Sequence, residues 1–239
     1  MSTSFAILTI VGIILISLAV SAISYNRQQA IAVRKKKLNS LHKQMVELSE
    51  YRNLLLKIDP TYDLICFLQR NILYALRNAL ELAPSDTDLN QQLQTQSANM
   101  EHYESGKRDN NLKPFFVTDG ELNAAQILMS QLLKTLELKK NNNQLSASQH
   151  AHFVTHIHNI RSELEIESHL AQANNYAQKR DMVMYQLHLK KARDALKKAP
   201  LDSDVKNQKV KELTELLNES KKGGRIFSSG SDQPSAQIK

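Results

Sequence analysis

Two stretches of the chain, RNALELAPSDTDL at residues 77–89 and RDALKKAPLDSDV at residues 193–205, share one pattern. In each stretch a helix-forming run ends in Ala-Pro, and acidic residues follow before the next helix-forming run. Proline cannot continue a helix, because it lacks the backbone N–H and restricts the residue before it. Acidic side chains favour the positive N-terminal end of a helix. Each stretch therefore predicts one helix, a break at Pro84 or Pro200, and a second helix.

The composition favours helices along the whole chain. The 239 residues include only six glycines and five prolines, which disfavours a β fold rich in turns. The hydrophobic fraction of 41% is ordinary for a protein with a packed core. A lone cysteine, Cys66, cannot form an internal disulfide and is expected to be a buried thiol in a helix core. The sequence therefore predicts an all-α fold.

Apolar spacing and capping residues divide the central part of the chain into successive helices. Polar stretches at residues 104–113 and 139–148 are predicted to be linkers. The capping-box spacing of Thr118 and Glu121 predicts a helix start. The expected buried stripes of the two helices that follow are Leu122, Ala125, Met129, Leu132 and Leu136, and then Phe153, Ile157, Ile160, Leu164 and Ala171.

The two Ala-Pro segments resemble the tetratricopeptide-repeat family of helical hairpins. That family ends its second helix with an alanine, four further residues and a proline. Ala79 with Pro84, and Ala195 with Pro200, match this spacing. The resemblance implies an array of helical hairpins with a peptide- or protein-binding surface. The two segments do not follow each other at the family's short period, so a different helical bundle stays open as the alternative.

An uncharged run, FAILTIVGIILISLAVSAI, occupies residues 5–23. A helix of this length rises about 30 Å, which matches the hydrocarbon core of a bilayer. A cleaved signal peptide is the alternative, since Val20, Ser21 and Ala22 are small enough for a cleavage site. Against it, the basic n-region is missing and the apolar run is long for an h-region. The prediction is a single transmembrane helix at residues 5–24.

The residues beside this segment predict its orientation. Residues 1–4 carry no charged side chain, whereas seven Lys and Arg residues and only two Glu occur in residues 27–52. Because positive residues stay on the cytoplasmic side, the N-terminus is expected outside and the main domain inside, at the cell (inner) membrane. The residues expected to contact membrane lipid headgroups are Arg27, Arg34, Lys35, Lys36 and Lys37.

The predicted organisation has five parts. Residues 1–4 form a short extracytoplasmic N-terminus, and residues 5–24 form the transmembrane helix. Residues 25–59 form a basic juxtamembrane helix that acts as a stalk. Residues 60–221 form a cytoplasmic helical domain, and residues 222–239 form a disordered tail too poor in apolar residues to fold.

An apolar seam with heptad-like spacing runs along the juxtamembrane helix, interrupted by Arg52 and ended by Asp59 and Pro60. Two interpretations stay open at this point. The helix is either a short coiled coil that dimerises the protein or an amphipathic helix that packs on its own domain. The residues of possible self-association are Leu38, Leu41, Met45, Leu48 and Leu55.

Histidines cluster in HAHFVTHIH at residues 150–158. His152 and His156 lie four residues apart on one helix face, so they are weak candidates for a metal site. The glutamate of a metalloprotease helix is missing, and partly exposed helix residues are the expected alternative. No phosphate-binding glycine loop or GxSxG motif is present either. The sequence therefore predicts no cofactor, no metal and no enzymatic activity.

A basic helix lies near the C-terminus, but acidic residues are interleaved with its lysines, so nucleic acid is not the expected partner. The sequence instead predicts a membrane-anchored, non-catalytic scaffold or adaptor that binds an unidentified protein partner in a membrane assembly. The alternative is a coiled-coil structural subunit of a membrane complex that works by self-association, as a homodimer. A nucleic-acid-binding or metal-sensing membrane protein is a lesser hypothesis.

Overall fold

In the computed structural model of the chain, residues 2–59, 61–105 and 115–221 are described, with side chains for all of these except 2–17, 19, 20 and 221. The described residues form seven α-helices and no strand, so the all-α prediction is confirmed. The helices are α1 (Ser2–Ile58), α2 (Asp63–Leu82), α3 (Thr87–Glu104), α4 (Asp119–Asn141), α5 (Ala147–Gln178), α6 (Met182–Lys198) and α7 (Ser203–Lys221).

Side-chain caps explain where several helices begin. Asp86 accepts hydrogen bonds from the backbone N–H groups of Asp88 and Leu89 at the start of α3. Thr118 accepts one from the N–H of Glu121 at the start of α4, as its spacing predicts. A full capping box, Ser146 with Gln149, opens α5. The predicted linker at residues 139–148 is therefore too long, because α4 continues to Asn141 and α5 begins at Ala147.

Two non-glycine residues adopt the left-handed conformation just after helix ends. Asn143 has a φ of 56° after α4, and Arg180 has a φ of 60° after α5. In both turns the next N–H reaches back five residues, from Gln144 to the Lys139 carbonyl and from Asp181 to the Tyr176 carbonyl. This is the Schellman motif, which satisfies carbonyls that a helix end leaves open.

The described residues divide into two compact units. Unit 1 contains residues 2–50 and 66–105. Within it, the fully buried Gln69 of α2 donates to the backbone carbonyl of Gln96 on α3 at 2.6 Å, and Arg70 forms an exposed ion pair with Glu104 at 3.0 Å. Cys66 is buried, as predicted.

Unit 2 contains residues 51–59, 61–65 and 115–221. In this unit α5 packs against α4 and α6, and α6 packs against α7. All five predicted stripe residues of α4 are buried, as are four of the five in α5. The fifth prediction is wrong: Ala171 is only half-buried, and Ala173 is fully buried in its place. The break at Pro200 separates α6 from α7, as the quoted segment predicts.

The N-terminal region belongs to α1, and for most of residues 2–20 only the backbone is described. Within the described residues, no helix combines the length and the apolar character needed to cross a membrane. For most of the predicted transmembrane segment, residues 5–24, the structure describes the backbone but not the side chains. The predicted tail, residues 222–239, lies entirely outside the described residues. The basic residues expected at the membrane surface are all exposed on α1; they are Arg27, Arg34, Lys35, Lys36 and Lys37.

The predicted dimer seam on α1 is largely covered within a single chain. Met45, Leu48 and Leu55 have 7%, 1% and 1% of their surface exposed. Leu38 and Leu41 are half-buried. Met45 and Leu48 in unit 1, and Leu55 in unit 2, are therefore already buried within one chain.

Candidate functional site

A groove opens in unit 2 where α5 passes the turn between α6 and α7. Its floor is apolar and includes Ile166 of α5, Leu196 of α6 and Leu213 of α7. Ala199 and Pro200, from the second Ala-Pro segment, also line it. The cavity measures about 220 Å³. The proline break thus both ends α6 and shapes the groove, because it forces the chain to turn at the groove wall.

The rim of the groove is mainly acidic. Glu163 and Glu167 line it from α5, and Glu212 lines it from α7, with Lys209 as the basic residue among the lining side chains. Burial raises the pKa of both the Glu163 and the Glu167 carboxyl. The positive charge of Lys209 opposes this rise without cancelling it. A further cation at this rim would favour the ionised carboxylates, because it would offset their desolvation.

Apart from the groove, a polar cluster that we call the Asp59 cluster joins the end of α1 to α5 within unit 2. The Asp59 side chain is fully buried and accepts hydrogen bonds from the Thr61 N–H at 2.8 Å and the Thr61 hydroxyl at 2.9 Å. His156 Nε2 lies 2.9 Å from Asp59 Oδ2 and 3.0 Å from Thr61 Oγ1. The hydrogen bond to Asp59 raises the pKa of His156, although burial opposes this. The cluster is therefore a histidine–carboxylate ion pair when His156 is protonated.

We expect this pair to make stability depend on pH in a definite direction. The pKa of His156 is higher in the folded chain than its ordinary value of about 6.5, so the folded state binds the proton more tightly. The stabilisation is then complete below about pH 6.5 and is lost as pH rises through the folded pKa. Urea unfolding of wild type and His156→Gln across this range should show a stability difference that is largest at the acidic end. A difference that grows with pH would contradict the assignment, and His158→Gln, which changes an exposed histidine of α5, is the matched control.

Another polar cluster, which we call the His169 cluster, brings together Asp119 of α4, His169 of α5 and His188 of α6. The two Nδ1 atoms of the histidines lie 3.4 Å apart, and Asp119 Oδ1 lies 3.8 Å from His169 Nδ1. Lys191 donates to the other oxygen, Asp119 Oδ2, at 2.7 Å. Burial lowers the pKa of both histidines, so both imidazoles are neutral near pH 7. Desolvation raises the pKa of Asp119, but the hydrogen bond and charge of Lys191 lower it overall.

Neighbouring contacts fix the residues of the His169 cluster. The fully buried Ser168 accepts a hydrogen bond from the Phe116 N–H at 2.8 Å, which ties the segment before α4 to α5 next to His169. The Tyr176 ring stacks on His188 with centroids 5.3 Å apart and planes 10° apart. These two contacts therefore hold the segment before α4 beside His169 and the His188 ring against α5.

The two histidines that the sequence offers as metal ligands, His152 and His156, do not belong to the His169 cluster. His152 is exposed, and its ring lies parallel to that of His156 with centroids 6.4 Å apart. His156 lies within hydrogen-bond distance of Asp59 instead, and within the described residues the group of three side chains that could hold a metal ion is Asp119, His169 and His188. Each of His169 and His188 lies four residues before an alanine, on the same helix face. Only the structure shows that these alanines, Ala173 and Ala192, are fully buried, so the sequence alone did not identify the two histidines.

Comparisons with known proteins give no relative for this chain: no protein-family model matches it, and neither does a curated protein or a solved structure.

Proposed function

We propose that this protein is a membrane-anchored, non-catalytic adaptor that binds a protein partner through the groove formed by α5 and the α6–α7 turn. The observation that carries the proposal is the apolar floor of this groove beneath an acidic rim. A volume of about 220 Å³ is below the 300–1,000 Å³ typical of small-molecule sites. Such a space suits a few side chains of a partner better than it suits a cofactor.

The chemistry of the groove defines the partner segment. The floor requires one or two apolar side chains, because Ile166, Leu196 and Leu213 offer no polar group to a guest. The rim favours Lys or Arg on either side of these apolar residues, where they would meet Glu163, Glu167 and Glu212. A short basic amphipathic helix of a membrane-associated protein has this pattern and could lie in the groove with its apolar face down.

The groove part of the proposal is tested with two charge reversals on one helix. Glu212 and Glu215 are both exposed on α7, but only Glu212 lines the groove. Full-length protein is solubilised in mild detergent, captured, and its bound proteins are quantified by mass spectrometry. We expect Glu212→Lys to reduce capture of one specific protein at least tenfold, while Glu215→Lys leaves it within twofold of wild type. Equal capture by both variants would refute the groove as the docking site.

We also propose that residues 5–24 anchor the protein in the inner membrane, with the N-terminus outside and the helical domain in the cytoplasm. The uncharged length of this segment supports the proposal, as do the exposed basic residues that follow it, among them Arg34 and Lys35.

Removal of residues 2–24 is the test of the anchor. We expect the full chain to stay in the membrane pellet after alkaline carbonate extraction and the shortened chain to appear in the supernatant, since the apolar segment is what holds it. A full chain that carbonate releases would contradict a transmembrane anchor and would indicate surface binding alone.

The self-associating subunit is the weaker proposal. Its seam would need Met45, Leu48 and Leu55, which are already buried within one chain. Exposing them for a second chain would cost the burial that they already have.

A further inference from the structure

We propose that Asp119, His169 and His188 form a binding site for a divalent transition-metal ion of the zinc class, which would join α4, α5 and α6. None of these three residues lines the groove, so the site is independent of the adaptor function. It rests on the geometry and chemistry of three side chains that converge from separate helices.

The distance between the two histidines matches tetrahedral coordination. The Nδ1 atoms lie 3.4 Å apart, which is long for an N–H···N hydrogen bond. Two nitrogen ligands at 2.0–2.1 Å from a tetrahedral ion are separated by about 3.3–3.4 Å. The same bonds in an octahedral arrangement would bring adjacent nitrogens to about 2.9 Å. The observed spacing therefore fits zinc or tetrahedral cobalt better than a metal that prefers six ligands.

Asp119 completes the set as the third ligand. Its Oδ1 is 3.8 Å from His169 Nδ1, and the three ligand atoms all lie within 4.8 Å of one another. The carboxylate must therefore move about 0.5 Å closer to His169 for the two atoms to bind one ion. This movement is easy because Asp119 is the first residue of α4 and its side chain is half exposed. The bond between Oδ2 and Lys191 leaves Oδ1 to face the histidines, and it is the outer hydrogen bond that ligating carboxylates usually have.

The surroundings suit a metal that solvent can reach. His169 and His188 are 7% and 2% exposed, so their rings are held in a dry pocket, while the half-exposed Asp119 marks the side from which an ion would enter. Three protein ligands leave a fourth tetrahedral position for water. Because the ligands lie on three helices, the bound ion would hold α4 and α6 against α5.

The positive charge of Lys191 opposes binding at this site, because it repels a divalent cation. Its side chain is 37% exposed and can keep its bond to Oδ2 or swing into solvent. Lys191→Gln removes this cation without removing a ligand, and it is expected to keep binding of one ion per chain.

The test uses tag-free, full-length protein in mild detergent, stripped of metal and titrated with Zn²⁺ and with Co²⁺. We expect one Zn²⁺ per chain, and for Co²⁺ the intense visible absorption of tetrahedral coordination. Zn²⁺ should also raise the Tm, because it binds the folded chain. Asp119→Asn should weaken Zn²⁺ binding at least tenfold, and His188→Gln should abolish it.

Two controls keep the outcome clear. His152→Gln changes the exposed histidine outside the cluster and should leave Zn²⁺ affinity within twofold of wild type. Circular dichroism establishes that each variant is folded, and Asp119→Asn supplies a test at a half-exposed position where misfolding is not expected. Binding of less than one-tenth of an ion per chain would overturn the proposal, as would affinity that Asp119→Asn and His188→Gln leave unchanged.

Discussion

Replacing Asp59 with alanine is expected to lower the free energy of unfolding by about 3 kcal/mol, because hydrogen bonds to a buried charge contribute about 1.5–3 kcal/mol each and breaking a buried pair costs 3–5 kcal/mol. The Asp59 carboxylate is fully buried and accepts from the Thr61 N–H, the Thr61 hydroxyl and His156. Its loss leaves the Thr61 donors without their acceptor at the point where α1 ends. The loss of unfolding free energy stays near the lower limit for breaking a buried ion pair, because the His156 side chain is 20% exposed and can release its proton.

Urea unfolding at about pH 6 measures this change, since His156 is then protonated. Asp63→Ala is the local control: it removes an exposed carboxylate from the first turn of α2, which is expected to cost no more than about 1 kcal/mol. Thr61→Val should lie between the two, because it removes one donor and keeps the ion pair. Equal losses for Asp59→Ala and Asp63→Ala would mean that the buried cluster contributes nothing specific.

The helices could be predicted from the sequence because the signals that start and stop them are local. Asp86, Thr118 and Pro200 act on backbone groups within a few residues, so their effect does not depend on the rest of the fold. The missed helix start at Ser146 has the same local cause. Ser146 and Gln149 form a capping box that overrides the polar composition of the neighbouring asparagines.

The clusters could not be predicted because they depend on packing between distant parts of the chain. Asp59 and His156 are 97 residues apart, and His188 meets His169 only because α6 folds back on α5. The stripe that periodicity predicts on α5 does not include His169, and no local pattern says that His188 lies opposite it. The spacing of His152 and His156 correctly places them on one face, yet their neighbours decide that one is exposed and the other binds Asp59.

At the contact between α5 and α6, sequence and structure disagree about one alanine. Apolar periodicity selects Ala171 as the buried residue, whereas the structure buries Ala173 completely in a cluster with Leu189, Ala192 and Leu196. Ala192 on the facing helix is also fully buried. The two alanines together leave no room for a larger side chain, because protein interiors are close-packed.

We therefore expect Ala173→Leu to lower the free energy of unfolding by about 3 kcal/mol, the upper end of the usual cost of overpacking. Ala171→Leu makes the identical change two residues away on the same helix, at a half-buried position, and should cost less than about 1 kcal/mol. Urea unfolding of both variants measures the difference directly. If Ala171→Leu is the more damaging of the two, the sequence periodicity identifies the buried face of α5 correctly, and the α5–α6 packing that brings His169 to His188 is wrong.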